Sequence, residues 1–275
     1  MDKKVKKIAI KARKAVFSEM IGNNSSKYFG EGYDFAELRE YQSGDDIKKI
    51  DWNITAKLKK PHIKMFYAGR ELNIAIAPIL NGSLHFGTTK FKSDLVAEIC
   101  AILGFSAIKQ SDPYISFIAN DDLVLSTKRS KNLFSVNKML ENILSYDLIG
   151  KKADYKTISS KLYSNLKKRS LIYLVGDFFD INNLDLKLLS KKHEVVAIIV
   201  RDRFEEHPKV LGNSFLLDPE TKKGFEGNIN DSSIKKYEQL VKQNDHNLLL
   251  HLQKCGIKFI KIYTDEEPLK KLLRL

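Results

Sequence analysis

Asn73-Ile74-Ala75-Ile76-Ala77-Pro78-Ile79-Leu80 is an apolar run of strand length, and the alternation that begins with it sets the fold class. Residues 89–109 place Leu95, Ile99, Ile102, Leu103 and Ala107 at three-to-four spacing, the period of a helix that turns one face inward. Residues 114–119 read as a second strand, the turn at Asp121-Asp122 leads into a short strand over 123–126, and 131–145 and 157–168 read as helices around a linker at 150–154. The alternation continues with strands at 171–176 and 194–200, a helix at 184–191, and a hairpin pairing 214–217 with 224–226. A long helix over 231–254, a last strand over 257–263 and a closing helix over 266–275 complete it. Strands this apolar, alternating with helices, predict a doubly wound, mostly parallel sheet covered on both faces.

Working outward, residues 3–20 form a basic amphipathic helix with Val5, Ile8, Ala12, Ala15 and Val16 on one stripe. That stripe is thin, so docking on the chain's own core is expected over burial in a membrane surface. The stretch 28–70 is aromatic, charged and Gly-punctuated, and reads as an irregular, partly β segment with a turn at Ser43-Gly44-Asp45. The expected division is therefore 1–70, a helix plus this segment, and 71–275, the α/β domain.

The 275 residues carry 47 basic and 34 acidic side chains, a formal charge of +13. Hydrophobic residues at 43% and charged ones at 29% are those of a folded globular chain, which excludes wholesale disorder. No apolar run reaches the 18 residues of a spanning helix, and the N-terminus lacks the apolar region of a secretory signal. Two cysteines, Cys100 and Cys255, make no disulfide framework, so a reducing, cytoplasmic setting is expected. The charge invites a nucleic-acid reading. Only eight of the 47 basic residues are Arg, the side chain that grips phosphate and guanine bidentately, and the basic stretches at 3–14, 57–64, 151–152 and 167–169 are scattered. Solvated lysine faces are favoured over a nucleic-acid surface.

The signature segment reads Tyr33-Asp34-Phe35-Ala36-Glu37-Leu38-Arg39-Glu40-Tyr41, Gly44-Asp45-Asp46 and Ile50-Asp51-Trp52-Asn53. Aromatics beside charges of both signs predict an ion-pair and hydrogen-bond lattice, with Arg39 bridging carboxylates, Asp45 closing a turn and Trp52 covering the sheet edge or a helix. A partner-binding surface comes second, with Arg39 and Trp52 as its anchors. A carboxylate centre built from Asp34, Glu37, Asp45, Asp46 and Asp51, with or without Asp177, comes third; it would serve a metal-dependent hydrolase.

That string, with Ala56, Arg70-Glu71-Leu72, Gly176-Asp177-Phe178 and the stretch from Val200-Arg201-Asp202 to Asp218-Pro219-Glu220-Thr221, resembles the bacterial family catalogued as domain of unknown function 58. The resemblance runs from about residue 20 to 265. It implies a von Willebrand factor A-like domain and a gene neighbour encoding a MoxR-type AAA+ ATPase. It therefore implies a non-enzymatic adaptor that works with that ATPase, and with other von Willebrand factor A-like proteins, in assembling or maturing proteins or complexes. The alternative from a different class is a nucleic-acid binder using the lysine-rich surface.

An A-type domain ordinarily holds Mg²⁺ by Asp-x-Ser-x-Ser after its first strand, with a later Thr and Asp. In this register the leading aspartate falls on Ile79, the serines on Asn81 and Ser83, the later aspartate on Asp177, and Thr157 is the one candidate threonine. An apolar side chain in the leading place leaves a poor cage for a dication that demands octahedral oxygen coordination. A degenerate site is expected, with no cofactor, and with the rim residues Asn81, Ser83, Asp177 and Arg201 serving partner contacts. No GxGxxG, Walker A or GxSxG motif is present, His246 and His251 lack metal spacing, and Cys100 sits among apolar neighbours.

Overall fold

A computed structural model describes residues 2–23, 35–66 and 71–275. The chain divides into two units, one formed by the residues up to 22 and from 72 to 275, the other by 23–71. In chain order the elements are α1 (Lys3–Asn23), β1 (Phe35–Glu40), α2 (Trp52–Leu58), β2 (His62–Phe66), β3 (Ile74–Pro78), α3 (Lys92–Lys109), β4 (Tyr114–Ala119) and β5 (Leu123–Ser130). They continue with α4 (Leu133–Leu144), α5 (Tyr155–Asn165), β6 (Leu171–Gly176), α6 (Lys187–Lys192), β7 (Glu194–Arg201), α7 (Arg203–Glu206), β8 (Gly212–Leu217), β9 (Gly224–Ile229), α8 (Asp231–Lys254), β10 (Lys258–Tyr263) and α9 (Pro268–Leu272).

The larger unit is a six-stranded sheet in the order β10-β7-β6-β3-β4-β5, parallel except for the antiparallel edge pair β4–β5. The order reverses at β3, the mark of a doubly wound sheet. Side chains alternate across it. Ile74 and Ile76 of β3, with Val196, Ile198 and Val200 of β7, enter one core with α1, α3, α4 and α9. Ala75, Ala77 and Ile79, with Val195, Ala197 and Ile199, enter the opposite core with α5, α6 and α8. Both faces being covered is why these strands are apolar throughout. The expected mixed α/β, mostly parallel architecture stands.

The expected boundary at 70/71 needs correction at one end. Helix α1 buries Val5, Ala9, Ala12 and Val16 in the larger unit's core, and Lys4 and Lys11 reach Asp94 and Glu98 of α3, each at 2.6 Å. Part of the N-terminal basic run thus fastens the helix to its own domain. The short strand expected at 123–126 extends to Ser130, and the one-turn helix α7 was not foreseen.

The smaller unit pairs β1 with β2 antiparallel, from Phe35 opposite Phe66 to Glu40 opposite His62. Arg39 grips Asp45 with both terminal nitrogens, at 2.7 and 2.9 Å, while Asp45 also accepts from the backbone N–H of Gln42. Asp46 caps a 3-10 turn and Asp51 caps α2 by accepting from Ile54 N–H at 3.0 Å. The expected ion-pair and hydrogen-bond lattice is thus met at Asp45, Asp46 and Asp51. Trp52 departs from its expected covering role: it opens α2 with 66% of its surface exposed. Tyr33, Asp34 and Arg70 of the signature lie outside the described residues.

Candidate functional site

In a doubly wound sheet, ligands bind beyond the carboxyl ends of the strands at the point where the order reverses. Here that rim is made by the residues after β3, β6 and β7. Beyond β3 the chain runs through Ile79 to Asn81 and a 3-10 turn at Gly82–His85. Gly82 is required there, because a Cβ would lie 2.4 Å from the Pro219 carbonyl oxygen. That close approach brings the turn between β8 and β9 onto the rim and carries Glu220 to Asn81. The tight turn at Gly87, where a Cβ would meet the Lys90 carbonyl, then sets the start of α3, so that Lys92 is its first residue. Beyond β6, Phe178 adopts a left-handed φ of 49° while wholly buried, a conformation a bulky residue takes only where packing imposes it. It follows Asp177 directly.

Asp177 is the centre of what these segments build. It has no exposed surface. Ser83 donates its hydroxyl to Oδ2, Asn81 donates to Oδ1 at 3.3 Å, the Phe179 N–H reaches Oδ1 at 3.4 Å, and Lys92 Nζ lies 3.2 Å from Oδ2. Lys92 is also fully buried, and its second anion is Glu205 Oε1 at 2.5 Å. Burial alone would raise the Asp177 pKa; the charges of Lys92 and Arg201 and the bonds from Ser83 and Asn81 outweigh it and hold the carboxyl below the ordinary range. Glu205 goes the other way: burial raises it, and Lys92 offsets this only in part while Asp177 adds like-charge repulsion. Two carboxylates share one ammonium, and the better-bonded Asp177 is the one whose pKa is held down.

Glu220 accepts from Asn81 Nδ2 at 2.8 Å, and burial together with the charges of Asp177 and Asp218 pushes its pKa up to about 7. Arg201, the fully buried last residue of β7, donates to Asp245 Oδ1 at 2.8 Å and to the Phe178 carbonyl at 3.3 Å, and stacks over Phe179 at 4.5 Å. Its Nε and Nη1, with Asn81 Oδ1 and the Tyr155 hydroxyl, are buried polar atoms that find no hydrogen-bond partner among the described residues. Asp202 caps α7 and accepts from Thr88, so the Arg201-Asp202 pair belongs to a salt-bridge and capping cluster.

The structure thus brings together Asn81, Ser83 and Asp177, with Arg201 near enough for its charge to act on Asp177. It corrects their expected use as contact surface: Asn81, Asp177 and Arg201 are buried and engage one another or the core. Ile79 is buried in the sheet core, its Cβ 2.9 Å from where a side chain at Gly176 would begin. Thr157 donates its hydroxyl to Asp154 at 2.7 Å and belongs to the cap of α5. The Mg²⁺ cage of an A-type domain does not fit these residues. The leading position is apolar, the threonine is turned to a helix cap, and an ammonium faces the Asp177 oxygen that Ser83 also bonds.

Three contributors escaped the sequence reading: Lys92, Glu205 and Glu220. Glu205 had a legible signal in the Asp-x-x-Glu spacing from Asp202 that forms a capping box, and Glu220 stood in the family-matching stretch without a role assigned to it. Arg39 and Trp52 belong to the smaller unit. Of the hydrolase carboxylates, Asp45, Asp46 and Asp51 hold an arginine or backbone N–H groups, and Asp34 lies outside the described residues. Among the described residues, no group of three or more His, Cys, Asp or Glu is placed to hold a metal ion. His193 accepts from the Ser170 N–H and His251 from the Leu186 N–H, and burial raises the Cys100 thiol. On the outer rim, His85 and Phe91 stack with ring centroids 5.1 Å apart, Phe91 being 44% exposed.

Among curated proteins, uncharacterized proteins of Mycobacterium bovis and Mycobacterium tuberculosis are each 25% identical over 250 residues, covering 89% of this chain and 79% of the relative. Solved structures similar to the chain include a conserved hypothetical protein BatB from Bacteroides thetaiotaomicron, at 12% identity and a TM-score of 0.46 over 74% of this chain and 95% of that one. A von Willebrand factor type A protein from Catenulispora acidiphila aligns at 8% identity and a TM-score of 0.40, over 90% of this chain and 50% of that one. None of the helices among the described residues is long and apolar enough to cross a membrane. The family described as Protein of unknown function DUF58 matches residues 37–247, and the chain belongs to it.

Proposed function

We propose that the chain is a non-enzymatic interaction adaptor that works with a MoxR-type AAA+ ATPase in assembling or maturing other proteins or complexes. Membership of the DUF58 family supports the reading. The observation that carries it is the state of the rim: Asp177, Lys92 and Arg201 are buried in ion pairs, while the outer edge presents the stacked, exposed pair His85 and Phe91. An exposed aromatic over a closed polar interior is the make-up of a contact anchor. Exposed Trp52 on the smaller unit is a second anchor of the same kind.

The test is a tagged pull-down at native expression, after nuclease treatment, with ATP, ADP or no nucleotide, read by mass spectrometry. Recovery of an AAA+ ATPase that changes with nucleotide, and falls in Phe91→Ala or Trp52→Ala, is the expected result. Failure to recover such an ATPase in every nucleotide state overturns the reading. Recovery only of nuclease-sensitive material replaces it with the nucleic-acid alternative.

A further inference from the structure

Lys92 breaks two local rules together. A lysine is almost never fully buried, yet this one has no exposed surface. It stands at the first position of an 18-residue helix, where the unpaired N–H groups and the helix dipole disfavour a cation. Its helix is otherwise buried along most of its length in apolar core. Residues that violate several local preferences at once mark sites with a compensating role.

The compensation lies in what surrounds the amine. Nζ is 3.2 Å from Asp177 Oδ2 and 2.5 Å from Glu205 Oε1, and Ser83 donates to the same Asp177 oxygen. Asp177 and Ser83 stand at two of the metal-motif positions, and the Asp177 oxygen that accepts from Ser83 is the one that Nζ reaches. One ammonium stands between the two carboxylates of Asp177 and Glu205, and it supplies positive charge to Asp177 in a rim whose leading acidic position is Ile79. We propose that Lys92 is a covalently tethered replacement for the divalent cation of this fold, so that the rim is assembled and held without metal. The inference concerns the chain alone and stands apart from the choice of partner.

Three measurements on the full chain test it, with Mn²⁺ as the probe ion. First, Mn²⁺ titration followed by electron paramagnetic resonance is expected to find no saturable site in the wild type that Asp177→Asn removes. Second, amine acylation read by peptide mass spectrometry is expected to modify Lys92 at least about tenfold more slowly than exposed Lys209 and Lys223, with no acceleration by millimolar Mg²⁺. Third, the double variant Ile79→Asp with Lys92→Ala is expected to take up one Mn²⁺, lost again on adding Asp177→Asn. Saturable wild-type uptake that depends on Asp177 overturns the proposal. So does Mg²⁺-accelerated acylation of Lys92, which would mean that metal displaces the amine. A folded double variant that takes up no Mn²⁺ also overturns it; if circular dichroism shows that variant unfolded, the two wild-type measurements decide.

Discussion

Glu220→Gln should stabilise the protein at alkaline pH and leave it unchanged in acid. The carboxyl of Glu220 sits half-buried against Asn81, close to the charges of Asp177 and Asp218, and keeps its proton up to about 7 where an ordinary glutamate loses it near 4.5. Below about pH 4.5 the group is protonated in both the folded and unfolded chain and contributes nothing. Between 4.5 and 7 the folded chain binds a proton that the unfolded chain has released, so stability falls as the pH rises. Above 7 the full penalty of a charged, poorly solvated carboxylate is present. At about 1.36 kcal/mol per pH unit the ceiling is about 3.4 kcal/mol. Solvent on the open side of the residue screens this to about 1–2 kcal/mol.

Glutamine keeps the oxygen that accepts from Asn81 and cannot ionise. The variant should therefore match the wild type at pH 4.5 and exceed it by about 1–2 kcal/mol at pH 8, a rise in Tm of about 2–6 °C. Urea unfolding of both proteins at pH 4.5, 6 and 8 measures the difference directly, and every other titrating group cancels in the comparison. A variant that is less stable at pH 8, or an offset independent of pH, would refute the placement of Glu220 against Asp177.

Lys92→Met leaves Asp177 buried without its cation and should lower stability by about 3–5 kcal/mol; combined with Asp177→Asn, the loss should fall well short of the sum in urea unfolding, because the two groups act as a pair. Gly82→Ala drives a methyl into the Pro219 carbonyl and should cost about 1–3 kcal/mol. By lifting the 218–223 turn it should also return the Glu220 titration, followed by carboxyl NMR, towards the ordinary glutamate range. Arg39→Lys loses the two-pronged grip on Asp45 and should cost about 1 kcal/mol, with faster amide exchange at Gln42 and Asp45 as the local readout.

The sheet was legible because its strands are covered on both faces. Each of β3, β6 and β7 is an apolar run with helical periods between, so order and burial follow from pattern. The short helices α2 and α7 were not legible, since four to seven residues hold too few turns to display a period. Asp177 and Ser83 could be found because a motif register points to them. The groups that complete the site arrive from a helix start, a one-turn helix and a hairpin turn: backbone packing at Gly87 and Gly82 sets the first and the last, and the Asp202 capping box sets Glu205.

Lys92 shows why a site of this kind hides in its own composition. Once Ile79 stands where an acidic residue belongs, Asp177 is a strand-end carboxylate without its usual surroundings, and burying it demands one positive charge from elsewhere in the chain. That demand can be stated from sequence alone. Its answer cannot, because the chain has 39 lysines and nothing in the neighbours of Lys92 sets it apart from those on the surface. In a lysine-poor chain the same buried cation would have stood out. Here the strongly basic balance conceals the lysine that balances Asp177 within the core. Net charge therefore says little about this site, and the distance from Nζ to Asp177 says a great deal.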